Sequence, residues 1–333
     1  MSNFRKVVLV LLLLAAGQTI ALAWGAWAHY RINRSAVFTL PDSMRLFYYN
    51  HIDYITEQAV MPDTRIYGTR DKDEAYRHYI DLELIPGGIA GMPISYEEAH
   101  KKYPDSLLRK TGILPWHVNE LIVKLTRAFK NLNKPEILLF SGDIAHYIGD
   151  AHTPLHTSEN HDGQLTGQKG IHSMWESEMP EKFSASYSFH TGNATYINEP
   201  LQAIFKTIAH SSELAAVVLN TEKQLSTGNP DLKKFVINPG GDTVKNRFRQ
   251  SKHTSEYLVR YNALLRSMIQ DQLKAAVKMV GDIWYTAWVD AGRPDLSKLD
   301  DPSLTKRNSV FYQQDYASWK KGLLTGVRAA PEF

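Results

Sequence analysis

Apolar residues recur at helical spacing along most of the chain. Between Pro115 and Phe129 they fall at Val118, Leu121, Ile122, Leu125 and Phe129, a stripe of period 3.6. From Pro135 to Ile148 the pattern returns at Ile137, Leu138, Phe140, Ile144 and Ile148. Pro135 suits a helix start, where its missing N–H would have had no partner anyway. Pro200 to Asn220 carries a third stripe, and Thr254 to Ala291 is one long periodic stretch with no Gly or Pro before Gly281. Strand-like alternation is scarce. Pro86 to Gly91 and Pro239 to Gly241 read as loops. The polar, Gly-containing stretch Asn160 to Lys169 reads as a loop beside the functional centre. The segment after Gly292 opens with Pro294 and is polar, so residues 293–333 are expected to be an ordered appendage or a tail rather than core. No repeat or low-complexity tract is present. The pattern predicts an all-α fold: a single multi-helix domain over residues 24–292, with facing helices supplying inward ligands.

The first 23 residues break this pattern. Arg5 and Lys6 give a basic start, Val7 to Ala16 is unbroken apolar sequence, and Ala21-Leu22-Ala23 fits the small-x-small rule for signal cleavage. Cleavage before Trp24 would deliver the protein to the periplasm or the outside of the cell. The competing reading is an uncleaved anchor, because apolar character runs on to about Ala28. No later segment has a long charge-free apolar run.

Composition narrows the chemistry. With 333 residues and 43% apolar content, the chain can bury a sizeable core. The 38 basic and 35 acidic residues leave a net charge of +3, too balanced to argue for a polyanionic partner. There is no Cys, which excludes thiolate metal sites, disulfides and Cys nucleophiles, whereas there are 13 His.

Those histidines fall in a pattern. His146 and Asp150 are four residues apart, as are His172 and Glu176, with His156 between the pairs. Residues i and i+4 share one helix face, so each pair can aim an imidazole and a carboxylate at one point. Such donors suit a divalent ion such as zinc. Upstream, Trp24-Gly-Ala-Trp-Ala-His29, Pro62-Asp63-Thr-Arg65 and Arg77-His78-Tyr-Ile-Asp81-Leu-Glu83 offer further donors. His152 lies on the same stretch and reads as a supporting or surface residue.

In order and identity these motifs resemble one superfamily: the zinc-dependent bacterial phospholipases C and the fungal and plant single-strand-specific nucleases. The resemblance runs from Trp24 to about Glu176, and weakly through the helix ending near Ala291. It implies an α-helical domain with three zinc ions. One would be held by Asp63, His78, His146 and Asp150, and a second by His156, His172 and Glu176. The third would be held by the free α-amine and carbonyl of Trp24, with His29 and Asp150, so that Asp150 bridges two ions. An α-amine gives up its proton readily to a zinc ion, whereas a peptide nitrogen cannot do the same. The expected cleavage bond and the ligand requirement therefore meet at Ala23-Trp24.

The two branches leave mixed signals. The His78-Tyr-Ile-Asp-Leu-Glu83 motif and Trp175 are similar to the nucleases. Glu176 as last ligand, Gly170-Ile-His172-Ser, the absence of cysteines and the lack of a Gly-Gly-Asn motif after His156 resemble the phospholipases, and the balance favours that branch. The resemblance implies hydrolysis of a phosphodiester, from phospholipid or nucleic acid, by metal-activated water. Asp63 would orient or deprotonate the water. Arg65 and Arg77 are candidate phosphate clamps whose other reading is salt bridges, and Tyr79 is a candidate base-stacking residue whose other reading is packing. No obligate protein partner is evident; transient contact with a membrane surface fits the phospholipase branch. The rival classes are a membrane-anchored, non-catalytic zinc protein and a purely structural zinc cluster. Three protein ligands at the His156 group would leave a position open, which argues against the latter.

Overall fold

Among residues 25–69, 71–246, 249–300 and 303–322, which this computed structural model describes, helices dominate and extended chain is limited to isolated bridges. The longer helices are α1 (Ala26–Val37), α2 (Asp42–Asn50), α3 (Ile52–Gln58), α4 (Met61–Gly68), α5 (Tyr96–Lys102), α6 (Asp105–Thr111), α7 (Leu114–Lys130), α8 (Lys134–Ala151), α9 (Pro200–Gly228), α10 (Ser255–Leu265), α11 (Met268–Asp290) and α12 (Lys306–Lys320).

Helix α8 is the centre of the packing. Pro135 lies in its first turn, and the Asn133 side chain accepts from the Glu136 N–H, satisfying one of the donors a helix start leaves open. Its second half, Ser141 to Ala151, is buried on every side, which fits an interior helix better than a surface one. Helices α1, α3, α7, α9 and α11 all pack against it. Gly142 allows one of these approaches, since a Cβ there would collide with the Gln58 side chain at the end of α3. Tyr48 stacks on Trp284, and both bond to Ser141: the phenol to its hydroxyl at 2.8 Å and the indole N–H to its carbonyl at 3.0 Å. These contacts fix the roll of α8, which carries two of the expected ligands.

Two expectations are corrected and a third is extended. The periodic stretch from Thr254 to Ala291 is two helices, broken at Arg266, whose φ of 56° ends α10 without a glycine. The segment after Gly292 does reach the core: Leu296, Tyr312 and Trp319 are buried in it, and Trp319 stacks on Phe38. Pro239 to Gly241 is a turn, as expected, and it lies within a small clover of extended chain. The Val236 N–H donates to Lys252, Lys252 to Val244, and Val244 back to Val236, at 2.8–2.9 Å, closing a ring of three passes eight residues apart.

The clover is anchored by Glu222 of α9. This buried carboxylate accepts from Lys234 at 2.6 Å, Tyr257 at 2.5 Å and Gln168 at 2.6 Å. Burial pushes its pKa up, but these three partners more than offset that and hold it below the ordinary value. A carboxyl whose folded pKa is depressed contributes stability above its unfolded pKa and loses it as pH falls through the folded value. Glu222→Gln is therefore expected to cost about 3 kcal/mol at neutral pH, as for a broken buried pair, and less in acid. Thermal melting from pH 7 down to pH 3 checks this; an equal loss at both ends would contradict it.

Candidate metal centre

Eight of the nine expected ligands converge beside α8. His29 comes from α1 and Asp63 from the first turn of α4. His78 follows the 3-10 turn Ala75–Arg77, and His146 and Asp150 face inward from α8. His156 lies on the 3-10 turn Pro154–Thr157. All eight are buried. The ninth, Trp24, and the signal segment before it lie outside the described residues. Gly25 is described: its N–H donates to the Glu176 carbonyl at 3.2 Å, and a Cβ on it would collide with the Ser177 hydroxyl. The chain next to Trp24 is thus fixed against the turn that carries Glu176.

His172 and Glu176 do share a face, but not on a regular α-helix. An α turn, Ile171–Ser173, runs into a π-helix, Met174–Glu178, and that into a second α turn, Met179–Lys182. Such widened turns gather at functional sites. Here the His172 Nε2 lies 2.9 Å from the Glu176 Oε2.

The donors form three groups able to hold metal ions: Asp63, His78 and His146; His29, His146 and Asp150; and His156, His172 and Glu176. Two donors about 2.0–2.1 Å from one tetrahedral ion lie about 3.3 Å apart. In the first group His78 Nδ1 lies 3.1 Å from His146 Nε2, and Asp63 Oδ1 lies 3.7 and 3.6 Å from these two nitrogens. Asp150 Oδ2 lies 3.0 and 3.4 Å from the same pair. The other oxygen of Asp150, Oδ1, faces His29 Nε2 at 3.6 Å. One carboxylate therefore divides its two oxygens between two groups. In the third group His156 Nε2 lies 3.2 Å from His172 Nε2 and 4.0 Å from Glu176 Oε2.

Backbone carbonyls set the imidazole tautomers. The Nδ1–H of His146 donates to Ala59 at 2.7 Å, that of His156 to His78 at 2.6 Å and that of His172 to His161 at 3.0 Å. Each ring then turns its Nε2 lone pair inward. Facing lone pairs at 3.2 Å repel unless a cation lies between them. Further donors lack hydrogen-bond partners among the described residues: both nitrogens of His29, Asp150 Oδ1 and Glu176 Oε2. Electrostatics agree. Burial, then the His78 charge, lowers the His29 pKa to about 3, and burial with neighbouring histidines carries His146 and His156 well below the ordinary value. These rings stay neutral, as ligands must. Burial pushes Asp150 up to about 6 and Glu176 well above its usual range, a cost that a dication would reverse. The donor set fits divalent metal.

One residue that the sequence reading passed over supports the first group. Glu74 is buried with an oxygen 3.6 Å from His78 Nε2, behind the nitrogen that faces the donors. Burial raises its pKa, but His78, Tyr147 and Arg65 more than offset this and hold it at about 2. Burial lowers His78, while Asp150 and Glu74 raise it to about 9. A carboxylate behind a ligating imidazole orients the ring and raises its basicity. Glu74→Gln is expected to weaken metal binding about 10- to 100-fold in chelator competition. Unchanged affinity with a lowered melting temperature would make Glu74 structural only.

The two arginines are found in salt bridges, the second of their two readings. Arg65 makes a two-pronged pair with Asp143, at 3.2 and 3.0 Å, and lies 3.5 Å from Glu74. Arg77 bonds Asp71 and Glu74 at 2.6 and 2.7 Å. Both guanidinium groups are engaged by carboxylates, Arg65 by Asp143 and Glu74, and Arg77 by Glu74 and the exposed Asp71. Tyr79 is half-buried with its ring edge against Gly112, a packing position. Glu83 accepts from the Ser158 hydroxyl and the Glu159 N–H and is in none of the three groups. His152 is buried with its Nδ1–H on the Ile148 carbonyl, a local cap on α8. A cavity lined by Phe47, Trp288 and Asp300 contains none of the donors. No protein-family model matches the chain, and no curated protein matches its sequence.

Proposed function

We propose that this protein is an exported, zinc-dependent phosphodiesterase of the phospholipase C type, with three ions held by Trp24, His29, Asp63, His78, His146, Asp150, His156, His172 and Glu176. The observation that carries the reading is Asp150: one fully buried carboxylate with its two oxygens turned to two donor groups. A structural zinc site is saturated by its protein ligands, whereas the group of His156, His172 and Glu176 supplies only three donors and would leave a position open. A shared carboxylate suits a site that must hold charge close to a reacting phosphate.

Bound zinc would supply two things, a lowered pKa for water and neutralisation of charge developing on phosphate oxygens. The protein's part follows from its donors. Asp63, Asp150 and Glu176 are the anionic members, so they offset only half the charge of three dications. The remaining positive excess attracts an anionic diester. Asp63, whose Oδ1 stands 3.6–3.7 Å from the two imidazoles of its group, is suited to orient water and accept its proton. The carbonyl-fixed imidazoles keep their lone pairs aimed without reorganisation during the reaction. Burial keeps the His29, His146 and His156 rings neutral and so available to a metal ion.

The test is a side-by-side assay of the mature protein on a soluble short-chain phosphatidylcholine, other phospholipids and single-stranded DNA and RNA. Release of a phosphorylated headgroup supports the phospholipase reading. Cleavage of nucleic acid alone moves the protein to the nuclease branch, and loss of neither substrate in zinc-loaded protein removes the proposal.

A further inference from the structure

The donor groups are bordered by two exposed segments that the proposed chemistry does not use. The first is the clover of residues 233–254. Its stretch from Lys233 to Thr254 carries six Lys and Arg against one acid, Asp242. Lys233, Lys245, Arg249 and Lys252 are exposed, and none forms an ion pair among the described residues. Ile237, on the same clover, is 53% exposed. The second is the loop from Ser158 to Gly170, which joins the ligands His156 and His172. Leu165 at its tip is 65% exposed, although its N–H is held by Asn160 at 2.8 Å.

Both segments are tied to the site and to each other. The Asn246 amide donates to Glu178 at 3.1 Å, and the Ser173 hydroxyl bonds to Gln250. These contacts seat one clover tip on the π-helical turn, next to His172 and Glu176. The Glu178 carboxylate also accepts the His253 N–H at 3.1 Å. Glu222 then joins Lys234 of the clover to Gln168 of the loop. The clover and the loop, which carry these cations and the two aliphatic side chains, are thus braced to each other and to the turn that holds His172 and Glu176.

We infer that this surface docks the protein on an anionic phospholipid bilayer, with Lys233, Lys245, Arg249 and Lys252 facing the headgroups and Ile237 and Leu165 entering the boundary with the acyl chains. Unpaired cations flanking isolated exposed aliphatics are the signature of interfacial binding, because each kind of contact alone is too weak for stable attachment. A single-stranded nucleic acid would instead call for exposed aromatic platforms among the cations. The clover's described aromatic, Phe235, is half-buried against His253. The inference rests on the phospholipase reading and adds how the substrate is presented: as a surface, with the His156, His172 and Glu176 group nearest to it.

The test is cosedimentation of the mature, zinc-loaded protein, in the cold, with vesicles of phosphatidylcholine alone or with added phosphatidylglycerol. The wild type is expected to bind the anionic vesicles and to lose binding as salt rises. A cation near such a surface is worth about fivefold in affinity, so combined Lys233→Gln, Lys245→Gln, Arg249→Gln and Lys252→Gln should weaken binding roughly a hundredfold or more. Ile237→Ser and Leu165→Ser should each weaken it roughly fivefold to tenfold. Zinc content and circular dichroism verify that each variant is folded. Equal binding by wild type and the fourfold variant, or no binding by the wild type, overturns the inference. So does a single-stranded oligonucleotide that binds through the same four cations while vesicles do not. Hydrolysis of the soluble short-chain lipid is scored separately: its absence counts against the proposed function, whereas absence of vesicle binding counts against the docking surface.

Discussion

Asp150→Asn is expected to strip the protein of more than one metal ion and to lower turnover by at least about a thousandfold. The substitution keeps the shape of the side chain and removes its charge. It also replaces one oxygen by an NH2 group, which must point either at His29 or at the His78 and His146 nitrogens, 3.6 Å or 3.0–3.4 Å away. Both directions lose a ligand, and two ions would then sit close together without the anion between them. No singly placed donor has this double effect. His172→Asn, by comparison, should remove the ion of its own group and leave the pair at Asp150 filled. Elemental analysis and turnover on a soluble diester decide the matter, with circular dichroism to verify the fold. Full metal content with near-normal turnover in Asp150→Asn would remove the bridging role.

Residues left ahead of Trp24 are expected to lower activity at least about tenfold, with recovery when they are cut away to expose the Trp24 amine. A free α-amine has a lone pair for a metal ion; the nitrogen of a peptide bond does not. Space reinforces the chemistry. Gly25 is held by Glu176 and lies so close to Ser177 that even a Cβ would collide, so the chain enters the centre at a fixed point. Comparing the extended and trimmed proteins in zinc content and turnover is the check. Equal values in both would contradict a role for the amine and would favour the anchor reading of the first 23 residues.

What was legible in the sequence was what local spacing controls. His146 and Asp150 lie on a regular buried helix, so the i, i+4 rule placed them on one face. His172 and Glu176 obeyed the same spacing although the turn between them is π-helical, which no composition signal marks. Glu74 stands four residues before His78, the same spacing as in the other pairs, so its signal too is present in the sequence. Other features depend on distant partners. Arg65 is claimed by Asp143, 78 residues away, and the tautomers of His146, His156 and His172 are set by carbonyls whose residue identity carries no information. The break at Arg266 came without Gly or Pro, against the propensity rules. The clover escaped a period-2 search because each of its passes is only a few residues long.

The central claim is that three metal ions share this centre with Asp150 between two of them. Anomalous diffraction at the zinc edge, on crystals of the mature protein grown with zinc, tests it most directly. The account predicts three peaks: one among Asp63, His78 and His146, one beside His29, both within bonding distance of Asp150, and one among His156, His172 and Glu176. A map with no peak next to Asp150, or with a single peak in the whole centre, would contradict it.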